Sequence, residues 1–159
     1  MSNHKDIWFQ CETIIYSQVT LKEKMQAICN LLGSQMPAYD WVGFYLSDVK
    51  NKKLYLGPFY GEPTEHTSIS YGKGVCGQVA EAQKTFVIDD VEEEKNYIAC
   101  SIHVKSEIVV PIIKNEIVVG QIDIDSHTPA AFKQEDQQML EKICLEIAIY
   151  IELKKLFSF

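Results

Sequence analysis

Two cysteines in this sequence stand away from any apolar stripe, in surroundings that suit reactive thiols. Cys76 sits between glycines in Gly72-Lys-Gly-Val-Cys-Gly77, at a strand-to-helix turn where unpaired backbone N–H groups favour a thiolate. Cys100 ends an acidic loop and is followed by polar Ser101, His103 and Lys105. Both are expected to be accessible. Carboxylates form a second set: Glu107, Asp123 and Asp125 are embedded in the apolar runs Glu107-Ile-Val-Val-Pro111 and Ile122-Asp-Ile-Asp125. Strand alternation puts Asp123 and Asp125 on one face. Facing solvent, which is the commoner arrangement, they are an ordinary wet edge. Facing a cavity, two close carboxyls cannot both ionise cheaply, so one pKa rises and becomes useful for proton transfer.

Trp41 and Tyr45, four apart on one side of a strand, are either core or the walls of a slot for a small ligand. His66, beside Glu65, reads as a solvated loop residue, with a proton donor or a cation near a thiol as the functional alternative. His103, close in sequence to Cys100, reads the same way, and His4 and His127 carry no signal.

These groups must be held by the elements around them. Residues 5–18 are expected to be helical, with Ile7, Cys11, Ile14 and Ile15 on one stripe. Thr20-x-x-Glu23 is a capping box opening a second helix, with Leu21, Met25, Ile28, Cys29 and Leu32 as its apolar face and Gly33 and Pro37 as its stop. Residues 41–46 and 53–59 read as a hairpin, and residues 67–71 as a strand. A short helix to about Gln83 and a short strand at Phe86–Ile88 come next. Residues 106–113 and 117–125 are strong strands joined at Lys114-Asn115-Glu116, where Asn115 suits a left-handed turn position. A final helix is expected from Gln134 to Leu156, with Cys144 in its apolar stripe. Cys11, Cys29 and Cys144 read as packed small hydrophobes. The element order predicts an α+β fold, a mainly antiparallel sheet with the N- and C-terminal helices on one face.

Composition narrows the function. With 159 residues, 47% hydrophobic and 23% charged, the chain suits one domain spanning residues 1–159 and excludes disorder and coiled coil. The net charge is −7 and there is no arginine, so bidentate phosphate clamping and guanine reading are unavailable, and nucleic acid is not the expected partner. No apolar run approaches the roughly 18 residues of a membrane span. The amino terminus lacks the regions of a secretory signal, which predicts a cytoplasmic protein with reduced thiols. The 5 cysteines form no C-x-x-C pair, and no metal site is expected.

Taken in order, Trp41-Val-Gly-Phe-Tyr45, Gly57-Pro-Phe-Tyr-Gly61, Gly72–Gly77, Ile98-Ala-Cys100, Ser106–Pro111, Gly120-Gln-Ile-Asp-Ile-Asp-Ser126 and Phe132-Lys-Gln-Glu-Asp136 resemble the free methionine-(R)-sulfoxide reductase family, which is built on a GAF domain. The likeness covers about residues 20–155. It implies that Cys100 is the catalytic cysteine and Cys76 a second redox cysteine. Glu107, Asp123 and Asp125 would bind the substrate amino group and assist protonation of the sulfoxide oxygen, and Trp41 and Tyr45 would pack around the sulfoxide and its methyl group. A thiolate attacks the sulfoxide sulfur, the protonated oxygen departs, and free methionine and a sulfenic acid on Cys100 result. No bound cofactor is implied; an external dithiol of the thioredoxin kind would restore the enzyme, and a homodimer is common in this fold. The family's third cysteine, ten residues before Cys76, is here His66, and the residue after Cys100 is Ser101 where aspartate is usual. Imidazole forms no disulfide, so Cys76 or an external thiol is left to resolve the sulfenic acid. A non-catalytic module binding an amino-acid-like ligand and a cysteine redox sensor are the other readings.

Overall fold

The computed structural model describes residues 3–97 and 102–152. A 6-stranded antiparallel sheet forms the centre. The chain runs α1 (His4–Ile15), α2 (Leu21–Gln35), β1 (Trp41–Asp48), β2 (Lys53–Tyr60), β3 (Ser68–Ser70), α3 (Gly74–Ala82), β4 (Phe86–Ile88), β5 (Ser106–Lys114), β6 (Ile117–Ser126) and α4 (Gln134–Ile147). Strands lie in the order β3-β2-β1-β6-β5-β4. Helix α1 packs on both α2 and α4, which lie against the sheet, while α3 lies near β3, β5 and β6. This is the expected α+β architecture. Among the described residues, no helix is long and apolar enough to cross a membrane.

Period-2 alternation sorts the central strands. Val42, Phe44, Leu46, Ile108, Val110, Ile112, Ile122 and Ile124 point into the core beneath α1, α2 and α4. Their neighbours Trp41, Tyr45 and Val109 join a second cluster with Val75, Cys76 and Val79 of α3. Glu107, Gln121, Asp123 and Asp125 alternate with the first set and are buried as well. The sheet therefore has an apolar face under three helices and a second face on which polar groups are buried.

Local signals explain most element ends. Thr20 and Glu23 form the capping box, with Thr20 Oγ1 accepting from Glu23 N at 3.2 Å and Glu23 Oε2 from Thr20 N at 2.9 Å. Gly33, expected to stop α2, lies inside it. A Cβ there would come within 2.0 Å of the Tyr60 ring, so the glycine serves close packing of α2 on β2. The β5–β6 turn is left-handed at Asn115 (φ 52°) and also at Glu116 (φ 66°). The first helix ends at Ile15, before the expected residue 18, with the Tyr16 N–H closing on the Glu12 carbonyl and the Ser17 N–H on the Ile14 carbonyl. The last helix stops at Ile147 and tightens into a 3-10 turn over Ala148–Tyr150. Residues 153–156 of the expected helix lie outside the described residues.

Candidate active site

The site occupies the second face of the sheet, under α3. Strand β6 supplies Asp123 and Asp125, β5 supplies Glu107 directly across from Asp125, and β1 supplies Trp41 across from Asp125 on the other side. Helix α3 lowers Cys76 onto this surface, and the Cys76 thiol donates to Asp123 Oδ2 at 3.3 Å. Gln121 Nε2 holds the backbone from below, donating to the Cys76 carbonyl at 3.1 Å.

Two expectations are corrected here. Asp123 and Asp125 are no wet edge; they are 2% and 1% exposed, because α3 covers Asp123 and the segment around residues 62–64 walls the cavity beside Asp125. Nor is Cys76 accessible, at 5% exposed. Burial first, and then the negative charges of Asp123 and Glu107, push its thiol well above the usual value. The helix N-terminus is outweighed, and Cys76 rests as a thiol. Asp123 is raised too: burial dominates, opposed by hydrogen bonds with Glu107 and Cys76 and by the charge of His66. A buried carboxyl beside another carboxyl and a thiol is a proton store.

The sulfur of Cys76 and carboxylate oxygens of Glu107 and Asp123 lie within 4.8 Å of one another, near enough to hold a metal ion, although proton sharing already accounts for two carboxyls at that distance. His66, expected on the surface, is half-buried and lines the same small pocket as Tyr45, Cys76, Glu107 and Asp123. Tyr45 Oη donates to the His66 carbonyl at 2.8 Å. That pocket has a volume of about 10 Å³, room for roughly one water. A second cavity of about 400 Å³ is lined by Trp41 and Asp125 together with Asp40, Glu62, His103 and His127. The carboxylate and aromatic residues singled out in the sequence are thus divided between a water-sized pocket and an adjoining cavity large enough for a small molecule. The Trp41 indole is stacked on Phe59 with ring centroids 5.8 Å apart, and its Nε1 donates to the Glu62 carbonyl at 2.9 Å. A Cβ at Gly43 would meet the indole at 2.2 Å, so the ring lies across β1 because position 43 is glycine.

Cys100 lies outside the described residues. Cys11, Cys29 and Cys144 are buried as expected, and burial raises all three thiols, Cys11 to about 12. Asn96 is a residue that sequence reasoning missed: its Nδ2 donates to the Gly72 carbonyl at 2.9 Å and its Oδ1 accepts from Gly74 N at 3.2 Å. It ties the chain four residues before Cys100 to the turn that carries Cys76. An asparagine in an acidic loop, well after the glycine-rich turn that it fastens, was its only sequence signal.

A GAF domain family model matches residues 18–152. The chain is 42% identical over 106 residues to the free methionine-R-sulfoxide reductase of Saccharomyces cerevisiae, covering 65% of this chain and 58% of that one. It is 33% identical over 131 residues to the enzyme of the same name from Escherichia coli, covering 80% and 78%. The match also spans 64% of GAF domain-containing protein A of Dictyostelium discoideum, so the shared region is less than two thirds of two of these relatives. The X-ray structure of free methionine-R-sulfoxide reductase from Neisseria meningitidis in complex with its substrate superposes with a TM-score of 0.88 at 30% identity, covering 94% of this chain and 91% of that one. The family model and these likenesses agree: the chain belongs to the GAF domain family and, within it, to the free methionine-R-sulfoxide reductases.

Proposed function

We propose that this protein reduces free L-methionine-(R)-S-oxide to L-methionine with thiol reductant. The observation that carries the reading is the buried Glu107–Asp123 pair, a proton store in a water-sized pocket beside a cavity with room for an amino acid. In the first step the Cys100 thiolate attacks the sulfoxide sulfur while the carboxyl pair protonates its oxygen. The sum is thiol plus sulfoxide giving sulfenic acid on Cys100 plus the thioether methionine, two electrons passing from the cysteine to the substrate. Asp125, lining the larger cavity, meets the substrate ammonium, and Trp41 and Tyr45 confine the methyl end. The sulfenic acid then condenses with a second thiol, Cys76 or an external one, forming a disulfide and releasing water. A dithiol of the thioredoxin class reduces that disulfide and is itself oxidised.

Cys76 suits the resolving role: a protonated, buried thiol survives as a thiol until the sulfenic acid forms. His66, where the family has a third cysteine, serves as an auxiliary group whose charge favours the ionised form of Asp123. The protein works without a bound cofactor in the cytoplasm, where its thiols stay reduced. A homodimer through the first helix is supported by Phe9 and Tyr16, each about half exposed.

The test is methionine release from the (R) epimer with thioredoxin or dithiothreitol. Cys100→Ser is expected to abolish turnover. Binding of the sulfoxide with no methionine released under either reductant would overturn the reductase reading and leave a ligand-binding module. Absence of a Cys76–Cys100 linkage by mass spectrometry after one turnover would leave resolution to the external thiol.

A further inference from the structure

We propose that His103 and His127 recognise the carboxylate of a free amino acid in the larger cavity. The proposal rests on reading that cavity as the amino-acid site and names the groups that restrict it to substrates with a free carboxyl end. A free amino acid is a zwitterion. The cavity offers Asp40, Glu62 and Asp125, which suit the ammonium and repel the carboxylate. The sequence has no arginine, and among the described side chains lining the cavity only the two imidazoles can carry positive charge. The indole N–H of Trp41 is already given to the Glu62 carbonyl.

The two rings form one patch, with centroids 5.9 Å apart and planes inclined at 59°. They come from distant parts of the chain. His103 lies in the turn leading into β5, and His127 is one residue past the end of β6, two residues after Asp125. Asp40 holds His127 by its backbone and lies beside its ring. Its Oδ2 accepts from the His127 backbone N–H at 2.7 Å, and its Oδ1 lies 3.8 Å from His127 Nδ1. Asp40 in turn is fastened to β6, its own N–H donating to the Asp125 carbonyl at 3.0 Å. The ammonium-binding carboxylate and the imidazole patch are therefore held by one short framework, which suits the short span between the two charged groups of an amino acid. A peptide-bound residue has no free carboxylate to offer, so the patch sets substrate class and takes no part in the redox chemistry.

The experiment is calorimetric titration with L-methionine and with L-methionine amide, which keeps the ammonium and side chain and lacks the carboxylate. The protein as it stands is expected to bind methionine at least about tenfold more tightly than the amide, the worth of one charge-assisted hydrogen bond. The double variant His103→Phe, His127→Phe is expected to bring that ratio close to one. His103→Gln, at an exposed turn, gives an intermediate ratio should the double variant not fold. Equal binding of both ligands by the unaltered protein, binding of neither, or an unchanged ratio in both variants would overturn the proposal. So would loss of the ratio on Lys73→Gln, the exposed lysine at the smaller pocket, with the histidine variants unaffected. Neither ligand is turned over, so a failed reductase assay and a failed carboxylate site give different results.

Discussion

Two buried aspartates on opposite sides of this sheet have opposite surroundings. Asp136, in the first turn of α4, is 5% exposed and surrounded by donors: Tyr39 Oη at 2.5 Å and His4 Nε2 at 2.9 Å reach Oδ1, while Lys133 N–H reaches Oδ2 at 2.8 Å. Asp123 is 2% exposed and meets a thiol and another carboxyl. The first arrangement joins α1, α4 and the segment before β1 into one network, and a buried charge is cheap where donors satisfy it. The second leaves charge poorly compensated, and its pKa rises. A carboxylate placed among donors serves the fold; a carboxyl placed among acidic neighbours holds a proton that chemistry can use.

The largest expected effect separates the two. Asp123→Asn removes the transferable proton and should lower kcat for methionine release by about 10² to 10⁴, with thermal stability unchanged or higher because a poorly compensated buried carboxyl has gone. Asp136→Ala should do the reverse. It leaves the Tyr39 hydroxyl and the Lys133 N–H without their acceptor, a loss of about 3 kcal/mol, or a fall in Tm on the order of 10 °C, with kcat intact. A stability loss in Asp123→Asn as large as that in Asp136→Ala would erase the distinction.

The same contrast shows how far the sequence could be read. Alternation paired Asp123 with Asp125 on one side of β6 and Trp41 with Tyr45 on one side of β1, because pleating is a local rule; that both pairs and Glu107 share a face follows from the register between strands. What that face meets is not local. Helix α3 and the segment before β3 close over it, so burial of Asp123 and Cys76 depends on packing across 47 residues. For the same reason the helix-terminus argument at Cys76 failed: a local dipole was weighed without the desolvation and carboxylates supplied by other strands. Gly33 looked like a stop until Tyr60, far along the chain, was beside it. His127 carried no signal because its partners, His103 and Asp40, are distant in sequence.

The pH dependence of stability follows from the raised Asp123. A carboxyl whose folded pKa lies above its unfolded one favours the fold while it is protonated, and that contribution is withdrawn as pH rises through the raised value. Asparagine at 123 has nothing to withdraw. Urea denaturation at about pH 5 and about pH 8 should show the stability of Asp123→Asn gaining on that of the unaltered protein as pH rises. A difference that shrinks with pH would mean that donors reach Asp123 as they reach Asp136.

The smallest effect concerns the thiol. Burial raises Cys76 first, and the acidic neighbours Asp123, Glu107 and Asp125 raise it further; Asp123→Asn removes only the share of Asp123. Alkylation of Cys76 at mildly alkaline pH, followed by mass spectrometry in a Cys100→Ser background, should therefore quicken by a small factor and no more, since the sulfur stays under α3. Asp136→Ala lies on the other side of the sheet and should leave that rate alone. If the Asp123 variant reacted no faster than its parent, Asp123 would have no share in holding the proton on Cys76; if it reacted as fast as a free thiol, the neighbouring charges would be the larger cause and the order of the two would have to be exchanged.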